Sequence, residues 1–436
     1  MESIWKKYLK PIDNVKKTDA KVTKLDCIVV GGGIAGIMCA YMLAKEGQKV
    51  TIIEAAQVLG GVTSNTTAHV TSLQGRYRDI PGAKRRKLFF QSQQQGIDGI
   101  EELVNKHKID CDFQRTDGIV FGNGKPLKKE FKVMKKISSD IRLEKNKKLP
   151  FGDFDCITLN MQARFNPINF CYGIIKAGNF DIIENCRIKK VCLMKKRLET
   201  ENMIFKYNKV VFATGFPIIN IRGIYAFKMY KSSSYAICKN NSQQLGAIYN
   251  SVESDGMTYR DSEDGVIIGG FDHRTGRHKC SKYFSKLGDG KFKWAANDCM
   301  TFDGIPYAGR LLRVFARDTY VISGFSKYGM VNSFISAKII ADTVSRKKNL
   351  YKRLFKPTRV LNVKVWPLFF LNFLLDAKNL TAGLFSSGKR RCPHMGCRLK
   401  FNPNTKTFDC PCHGSRLTKK GDIIISPTVD ANEKLL

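Results

Sequence analysis

The N-terminal part of the chain combines two short apolar runs with a glycine-rich turn and a helical pattern. The first run, residues 25–30, leads directly into the glycine-rich segment 31–36. Apolar residues then recur at helical spacing up to Gly47, and the second run, Val50–Ile53, ends in Glu54. Short apolar runs beside glycine favour strands, whereas a spacing of three to four residues favours a helix. The pattern therefore predicts a strand, turn, helix and strand within about 30 residues.

Later apolar patterns predict the remaining main elements. Helical spacing occurs over residues 85–107 and again over residues 330–344. Valine- and isoleucine-rich runs are typical of strands. The predicted strands cover 209–212, 266–268 and 319–322, and they run into Ala213-Thr214-Gly215, Gly269-Gly270 and Ser323-Gly324-Phe325. This alternation of strands and helices indicates an α/β fold.

Composition supports folded domains and points to a basic surface. The 436 residues include 74 Lys and Arg against 38 Asp and Glu, a formal net charge of +36, with 43% hydrophobic and 11% aromatic residues. That apolar content excludes a mainly disordered basic chain, and the length predicts two or three domains. Basic residues occur in short clusters along the whole chain, without aromatic interleaving, so we expect a solvated lysine-rich surface and no nucleic-acid partner.

The sequence predicts no leader and no membrane span. Residues 1–24 are polar and lysine-rich, unlike a secretory signal. The longest apolar run, residues 365–375, is interrupted by Pro367 and Asn372 and is far shorter than the ~20 residues that a spanning helix needs. We therefore expect a soluble, cytoplasmic protein.

The spacing Gly31-x-Gly33-x-x-Gly36 is that of a dinucleotide-binding turn. The first glycine permits the tight turn, the second lets the backbone approach a pyrophosphate, and the third lets the helix pack on the strand. Glu54 ends the second strand, where a carboxylate can accept hydrogen bonds from ribose hydroxyls. A glycine-rich turn inside an ordinary α/β core is the alternative.

Two further segments favour FAD over NAD as the dinucleotide. A polar loop rich in glycine and threonine occupies residues 60–67, and residues 323–330 form a second glycine-containing turn before a helix. With Ala213-Thr214-Gly215, these segments resemble the glycine/D-amino-acid oxidase superfamily over residues 25–345. The resemblance implies FAD contacts at Gly31, Gly33, Ile34, Ala35, Gly36, Glu54, Ala55, Thr63, Ser64, Thr214, Gly215, Gly324, Lys327, Gly329 and Met330.

The resemblance also implies roles near the flavin ring. Lys327, or the N-terminus of the helix that follows it, would stabilise negative charge on the reduced flavin; an ordinary surface lysine is the alternative. Residues 301–306 resemble the strand before this turn. The catalytic residue stays unknown; His273 and Lys327 are weak candidates, and Tyr259-Arg260 is a weak candidate for binding a substrate carboxylate.

Four of the fourteen cysteines lie close together near the end of the chain. The other ten are scattered singly, as expected of free thiols in a reducing compartment. Two short loops combine Cys392 with His394 and Cys410 with His413. Two thiolates suit one iron and two imidazoles suit the other iron of an asymmetric [2Fe–2S] centre. A structural zinc site is the alternative, although zinc fingers usually pair cysteine with cysteine.

The run Cys-Pro-Cys-His-Gly-Ser-Arg at residues 410–416 resembles a Rieske domain. The resemblance implies a small all-β module over 388–436, with Cys397 and Cys412 at the positions of a disulfide. Few residues precede the first ligand loop, so the module is abbreviated. We expect it to borrow packing from the flavoprotein body through residues 365–375, and not to fold alone.

Together the motifs resemble one family of FAD-dependent oxidoreductases with a C-terminal Rieske domain. We expect a Rossmann-like α/β FAD-binding domain with an α+β substrate domain. The expected ranges are a basic extension 1–24, the oxidoreductase 25–345, a basic linker 346–387 and the Rieske module 388–436. Within the oxidoreductase, FAD binding is expected over about 25–80, 150–218 and 300–345, and substrate binding over about 81–149 and 219–299.

This organisation predicts an enzyme that takes electrons from an amine or amino-acid-like C–N substrate and passes them through the flavin to the iron–sulfur cluster. The alternative is a protein that relays electrons between protein partners. In either case the basic surface could bind an acidic electron carrier.

Overall fold

Three β-sheets organise the computed structural model, which describes residues 2–12, 15–16, 21–219, 225–240, 243–277, 281–311, 316, 318–386 and 391–425. The first sheet is mostly parallel and contains the predicted N-terminal strand, Val22–Val30, at its centre. The order of its main strands is Tyr307–Arg310, Thr319–Ser323, Ile204–Phe212, Val22–Val30, Val50–Ile53 and Asp181–Ile183, and the short strands Arg197–Glu199 and Lys190–Cys192 extend it beside Ile204–Phe212.

The position of Val22–Val30 explains why its second half is continuously apolar. Residues 27–30 are all buried, because parallel neighbours flank the strand on both edges and helices cover the sheet. The helix Ile34–Lys45 follows after the glycine-rich turn, and its first ten residues are all buried. This helix packs against Gly329–Val344, which in turn packs against the long helix Ala83–His107.

The second sheet is almost entirely antiparallel. The order of its strands is Phe292–Thr301, Met229–Lys239, Gly265–Arg274, Thr258–Ser262, Ala247–Ser251, Gln114–Gly122, Gly152–Arg164 and His69–Val70, with Arg142–Leu149 paired beside Gly152–Arg164. The single parallel pair joins Ala247–Ser251 to Gln114–Gly122.

The remaining helices lie around the two sheets. They are Lys125–Met134, Pro167–Ala177, Tyr225–Lys228, Tyr283–Leu287, Lys352–Phe355 and Trp366–Leu384, with 3-10 helices at Ile4–Tyr8, Val62–Asn65, Tyr77–Asp79 and Val363–Val365. Within the described residues, no helix is both long enough and apolar enough to cross a membrane.

A separate four-stranded antiparallel sheet forms the C-terminal module, which we call the cluster module, residues 391–425. Its strands are Lys400–Asn402, Thr407–Asp409, Arg416–Leu417 and Ile423–Ile425. The ligand loops precede the first strand and lie between the second and third strands. The fold is therefore the expected α/β body with an α+β part and a small all-β module.

Three details differ from the expectations. Residues 302–306 form a turn after the strand Phe292–Thr301, because Asp303 and Gly304 reverse the chain there. The strand Gly152–Arg164 belongs to the second sheet, whereas the other described strands of the expected range 150–218 lie in the first sheet. The expected linker contains the helix Trp366–Leu384, whose 19 residues are held by polar contacts with the body and the cluster module.

Candidate functional site

The glycine-rich turn after Val22–Val30 forms a backbone cradle that admits no side chains. Gly31 has a φ of +111°, and a methyl group on it would lie 2.6 Å from the carbonyl oxygen of Ala213. A methyl group on Gly36 would lie 1.8 Å from the carbonyl oxygen of Gly31. The turn and the strand end at Ala213 are therefore in direct backbone contact, as a site for a pyrophosphate requires.

The helix Ile34–Lys45 begins at this cradle without a side-chain cap on Gly33. Its first N–H group, on Ile34, donates to Thr63 Oγ1 at 3.0 Å, so the polar loop after the second strand is tied to the helix start. An open helix N-terminus attracts phosphate through its free N–H groups and its partial positive charge.

Glu54 is held at the end of the second strand by two backbone groups. Its Oε2 accepts from the N–H of Gly32 at 2.7 Å, and its Oε1 accepts from the N–H of Ala56 at 2.9 Å. The carboxylate thus has a defined position beside the cradle, where a ribose hydroxyl can reach it.

A cavity of about 540 Å³, which we call the flavin cavity, extends from this cradle between the two sheets. Thirteen of the fifteen residues predicted to contact FAD line it. They are Gly31, Gly33, Ile34, Ala35, Glu54, Ala55, Thr63, Thr214, Gly215, Gly324, Lys327, Gly329 and Met330. Gly36 and Ser64 lie behind the lining: Gly36 packs on the turn, and Ser64 Oγ donates to the carbonyl of Gly61.

The flavin cavity also contains residues that the sequence analysis missed. These include Arg187, Ile188, Phe216, Lys231, Asn297 and Cys299. They come from distant strands and loops, and none belongs to a glycine motif. Of these residues, sequence could have suggested only Phe216, because it follows Gly215 directly.

A second cavity of about 450 Å³ adjoins the first one, and we call it the substrate cavity after the role proposed for it below. Lys327, Asp298 and Thr66 line both. The substrate cavity is bounded mainly by strands of the second sheet and by the turn around Arg76. Within the described residues, the guanidinium of Arg76 has no hydrogen-bond partner, although the side chain is largely buried.

Charged side chains are concentrated where the two cavities meet. Lys327 Nζ lies 2.9 Å from Asp272 Oδ1 and 3.6 Å from Asp298 Oδ2. Burial raises the pKa of Asp272, and the charges of Lys327 and Arg76 oppose this rise. Burial lowers the pKa of Arg76, but the neighbouring Tyr328, Asp272, Tyr230 and Asp79 together raise it by more, so the net shift is upward. The guanidinium therefore stays charged inside the cavity.

The structure places the other catalytic candidates away from this charged group. His273 is not among the residues lining either cavity; its ring stacks on Tyr235 and Tyr283, and its Nδ1 lies 2.8 Å from the carbonyl oxygen of Phe271. The interpretation of Tyr259-Arg260 as a carboxylate clamp is wrong, because Arg260 is 1% exposed and lines neither cavity. Its guanidinium donates to the backbone carbonyls of Ala68, Phe165 and Asp261.

In the cluster module, the two predicted ligand loops converge. Each loop turns back on itself in the same way: Gly396 N donates to Cys392 O at 2.8 Å, and Gly414 N donates to Cys410 O at 3.0 Å. The rings of His394 and His413 are 5.1 Å apart and nearly perpendicular. The four proposed ligands, Cys392, His394, Cys410 and His413, therefore come together from the two loops.

The histidine nitrogens fit a metal-bound role. Within the described residues, Nδ1 of His394 and both ring nitrogens of His413 are buried without a hydrogen-bond partner. Burial lowers the pKa of His394 to about 4, and burial together with His394 and Arg274 lowers that of His413 to about 3. Neutral imidazoles with free nitrogens are what a metal centre requires, since an unpaired buried polar atom is otherwise costly.

The remaining cysteines of the module, Cys397 and Cys412, lie beside the predicted ligand Cys410 in one cluster of thiols. The Sγ atoms of Cys397, Cys410 and Cys412 lie within 4.8 Å of one another. Cys397 and Cys412 are thiols in the structure. Their pairing as a disulfide stays a prediction.

The cluster module packs on the body beside the flavin cavity. The ring of His413 lies 5.2 Å from the ring of Phe216, which lines that cavity. A methyl group on Gly414 would lie 2.5 Å from the side chain of Lys231, another residue of the cavity wall. Arg416 donates to Asn297 Oδ1 at 3.0 Å. The second ligand loop is thus separated from the flavin cavity by single side chains.

Comparison with known proteins agrees with this arrangement. A family model described as FAD dependent oxidoreductase matches residues 26–343, and one described as Rieske [2Fe-2S] domain matches residues 374–435. The "Putative Rieske 2Fe-2S iron-sulfur protein YhfW" of Bacillus subtilis (strain 168) is 27% identical over 93% of this chain and 92% of its own length.

Solved structures share the fold of the body. Glycine oxidase from Geobacillus kaustophilus superimposes with a TM-score of 0.65 and 16% identity, over 78% of this chain and all of that one. L-proline dehydrogenase from P. horikoshii gives a TM-score of 0.63 and 18% identity, over 77% and 97% of the two chains. At these identities the likeness shows the fold. The two family matches decide for FAD and for an iron–sulfur cluster instead of zinc, and the chain belongs to the family of FAD-dependent oxidoreductases, with a Rieske [2Fe–2S] domain after its FAD-binding part.

Proposed function

We propose that this oxidoreductase oxidises an amine or amino acid at a C–N bond and that the electrons leave through the cluster module. The observation that carries the proposal is the position of the flavin cavity, which has the substrate cavity on one side and His413 on the other. FAD, when bound, can accept a hydride equivalent from a substrate and release electrons singly to a one-electron centre.

The substrate cavity favours an amino acid over a simple amine. Arg76 presents a charged guanidinium without a hydrogen-bond partner among the described residues, and a guanidinium can bind a carboxylate through two parallel hydrogen bonds. Asp272 and Asp298 form ion pairs with Lys327 at the boundary with the flavin cavity. Their carboxylates can attract the amino group of a substrate there. The relatives named as oxidising glycine and L-proline share this fold, which supports the same substrate class.

Lys327 lies between the cavities, and its amino group is directed to carboxylates. The helix N-terminus at Gly329 and Met330 lines the flavin cavity directly. Of the two groups expected to stabilise negative charge on the flavin, the helix N-terminus therefore has the better position, and Lys327 serves to position Asp272 and Asp298.

The route to the cluster rests on the packing of the module. Phe216 and Lys231 each line the flavin cavity and contact the loop of His413. A cofactor and a cluster separated by single side chains need no movement of the module for an electron to pass.

The test is anaerobic mixing of the holoenzyme with a panel of amino acids, N-methyl amino acids and amines lacking a carboxylate. We expect at least one carboxylate-bearing compound to bleach the flavin absorbance, with the reduced cluster then appearing by electron paramagnetic resonance. If no compound of the panel bleaches the flavin but a reduced carrier protein does, the protein relays electrons between partners instead.

A variant of Arg76 tests the substrate class separately. Arg76→Leu should raise KM for a carboxylate-bearing substrate by about a hundredfold, since a charge-assisted bidentate contact is lost, with a smaller effect on kcat. Arg76→Lys should recover part of the loss. An equal effect on substrates with and without a carboxylate would contradict the assignment of Arg76.

A further inference from the structure

The helix Trp366–Leu384, which we call the outward helix, exposes its apolar side chains. Each of eight large apolar residues is between 37% and 67% exposed. They are Trp366, Leu368, Phe370, Leu371, Phe373, Leu374, Leu380 and Leu384. The flanking residues Val360, Val363 and Phe385 are 87%, 70% and 91% exposed. Apolar surface that continues over this length marks an interaction site.

The buried side of the same helix is polar. Asn372 and Asp376 are 1% and 6% exposed and lie one turn apart. Asp376 accepts hydrogen bonds from Arg274 and from Asn372, each at 2.9 Å. Further along the helix, the carbonyl of Asn379 accepts from the N–H of Arg398 at 3.0 Å.

These contacts fix which side faces outward. Rotating the helix to bury its leucines would break the ion pair between Asp376 and Arg274. At Gly383 the helix also lies directly against the backbone of Gly396, so its orientation is linked to the cluster module. The helix has the reverse of the pattern that a surface helix of a water-soluble protein normally shows.

Charge indicates what covers this face. Residues 346–378 contain nine Lys and Arg against a single acidic residue, Asp376, and the whole chain carries +36. Two copies of so basic a chain repel each other, whereas an anionic surface attracts them. A bilayer containing anionic lipids offers both the negative charge and an apolar layer for the exposed side chains.

We propose that the outward helix lies in the headgroup region of an anionic bilayer, parallel to its surface. Its polar side stays on the protein, and the exposed Trp366, Phe370 and Leu374 enter the boundary with the acyl chains. The helix does not span the bilayer, in agreement with its length and composition. The cluster module then lies next to the membrane, because the helix packs directly on it through Asn379 and Gly383. This binding does not depend on which substrate the enzyme oxidises.

The test uses the full-length holoenzyme and vesicles of phosphatidylcholine, with or without an equal share of phosphatidylglycerol. We expect co-sedimentation with the anionic vesicles and weaker binding at high salt. Trp366 is an internal reporter: it is 50% exposed, while the other tryptophans, Trp5 and Trp294, are 3% and 2% exposed. Binding should therefore shift its fluorescence to the blue, and Trp366→Phe should abolish the shift.

The double variant Phe370→Ser, Leu374→Ser should bind anionic vesicles about tenfold more weakly or worse, since two apolar side chains no longer enter the boundary. Both positions are exposed, at 54% and 63%, so the fold and the flavin spectrum should be unchanged. The matched control is Met194→Ser, which removes an apolar side chain that is 72% exposed on a distant hairpin and should leave binding unchanged.

Three results would overturn the proposal. They are absence of binding to anionic vesicles, binding that the double variant leaves intact, and a concentration-dependent dimer that the double variant converts to a monomer while vesicles have no effect. The last result would assign the face to a second copy of the chain.

Discussion

The flavin-binding body and the cluster module differ in what fills their interiors. The body buries a continuous apolar cluster in which the helices Ile34–Lys45 and Gly329–Val344 pack on strands of the first sheet. The apolar cluster of the module consists of its four cysteines with Leu399 and Leu417, bordered by the half-buried Phe408.

Polar groups occupy the rest of the module's interior. Asp409 is 0% exposed and accepts hydrogen bonds from Asn402, Thr407 and Arg416. Domains of about 40 residues or fewer seldom bury enough apolar surface to fold alone and depend on metals or on partners. The body therefore has an apolar core of its own, whereas we expect the module to depend on its cluster and on contacts with the body.

The largest expected effect comes from separating the two regions. A fragment of residues 386–436 should show no cooperative thermal transition by circular dichroism, because it loses the contacts of Arg416 with Asn297 and of Asn402 with Tyr235. The complementary chain, ending at residue 385, should fold and retain FAD. A fragment that folds and holds its cluster alone would remove the distinction between the regions.

Removal of a ligand should affect the module and leave the body intact. His413→Ala should lose most of the bound iron and sulfide, since one of the two imidazole ligands is absent, while flavin content stays near that of the parent protein. The control is Cys192→Ser, at a cysteine outside the cluster of thiols, and this variant should keep the iron of the parent protein. Stoichiometric iron in the His413 variant would contradict the ligand assignment.

Two buried ion pairs allow the same chemistry to be compared in both regions. Asp303 is paired with Arg359 at 2.7 Å in the body, and Asp409 with Arg416 at 3.0 Å in the module; both carboxylates are 0% exposed on the side chain. Replacement of either aspartate by asparagine should cost about 3–5 kcal/mol of the free energy of unfolding, because an arginine is left buried without its partner. Asp409→Asn should unfold the module and release iron, whereas Asp303→Asn should only lower the thermal midpoint of the body.

Acid should destabilise both regions by protonating the aspartates of these ion pairs, Asp303 and Asp409. Burial raises the pKa of each aspartate, but the paired arginine together with the other neighbouring charges and hydrogen bonds outweighs burial, and the net pKa lies below its ordinary value. Such a group binds its proton more weakly in the folded state, so its stabilisation is fully present above the unfolded pKa of about 3.9 and is lost as the pH falls through the lower folded value. Iron release should therefore begin below about pH 4 and precede unfolding of the body. Simultaneous loss of iron and FAD would contradict the expected difference in acid stability between the module and the body.

Smaller effects are expected from single methyl groups at two close backbone contacts. Gly36→Ala places a methyl group 1.8 Å from a carbonyl oxygen in the cradle, and Gly383→Ala places one 1.9 Å from the carbonyl oxygen of Gly396 in the module. Each should cost about 1–3 kcal/mol of the free energy of unfolding, with FAD content lowered in the first and iron content in the second. Gly61→Ala, where nothing lies within 4 Å, is the control for the free energy of unfolding.

The sequence alone predicted the elements whose signals are local. The strand–turn–helix unit around Gly31 and Gly36, the helix ending at His107 and the two ligand loops all lie where the patterns indicated. Glycine spacing and Cys–His spacing can be recognised in the sequence because close backbone contacts and metal geometry permit few residue types. Residues 301–306 were harder, since the resemblance suggested a strand while Asp303-Gly304 by itself favoured the observed turn.

What sequence determined by itself is therefore the identity of the two cofactors. The groups that hold them stay a prediction, although thirteen of the fifteen predicted FAD contacts line one cavity. Tertiary structure alone decided that Phe216 contacts His413, that Arg76 enters the substrate cavity and that Arg260 is bound to backbone carbonyls instead. It also showed that Trp366, Leu368, Phe370, Leu371, Phe373 and Leu374 are exposed while Asn372 and Asp376 face the protein. The physical reason is that a motif is a local pattern, whereas a neighbour across a cavity or a buried ion pair depends on chain segments that only packing brings together.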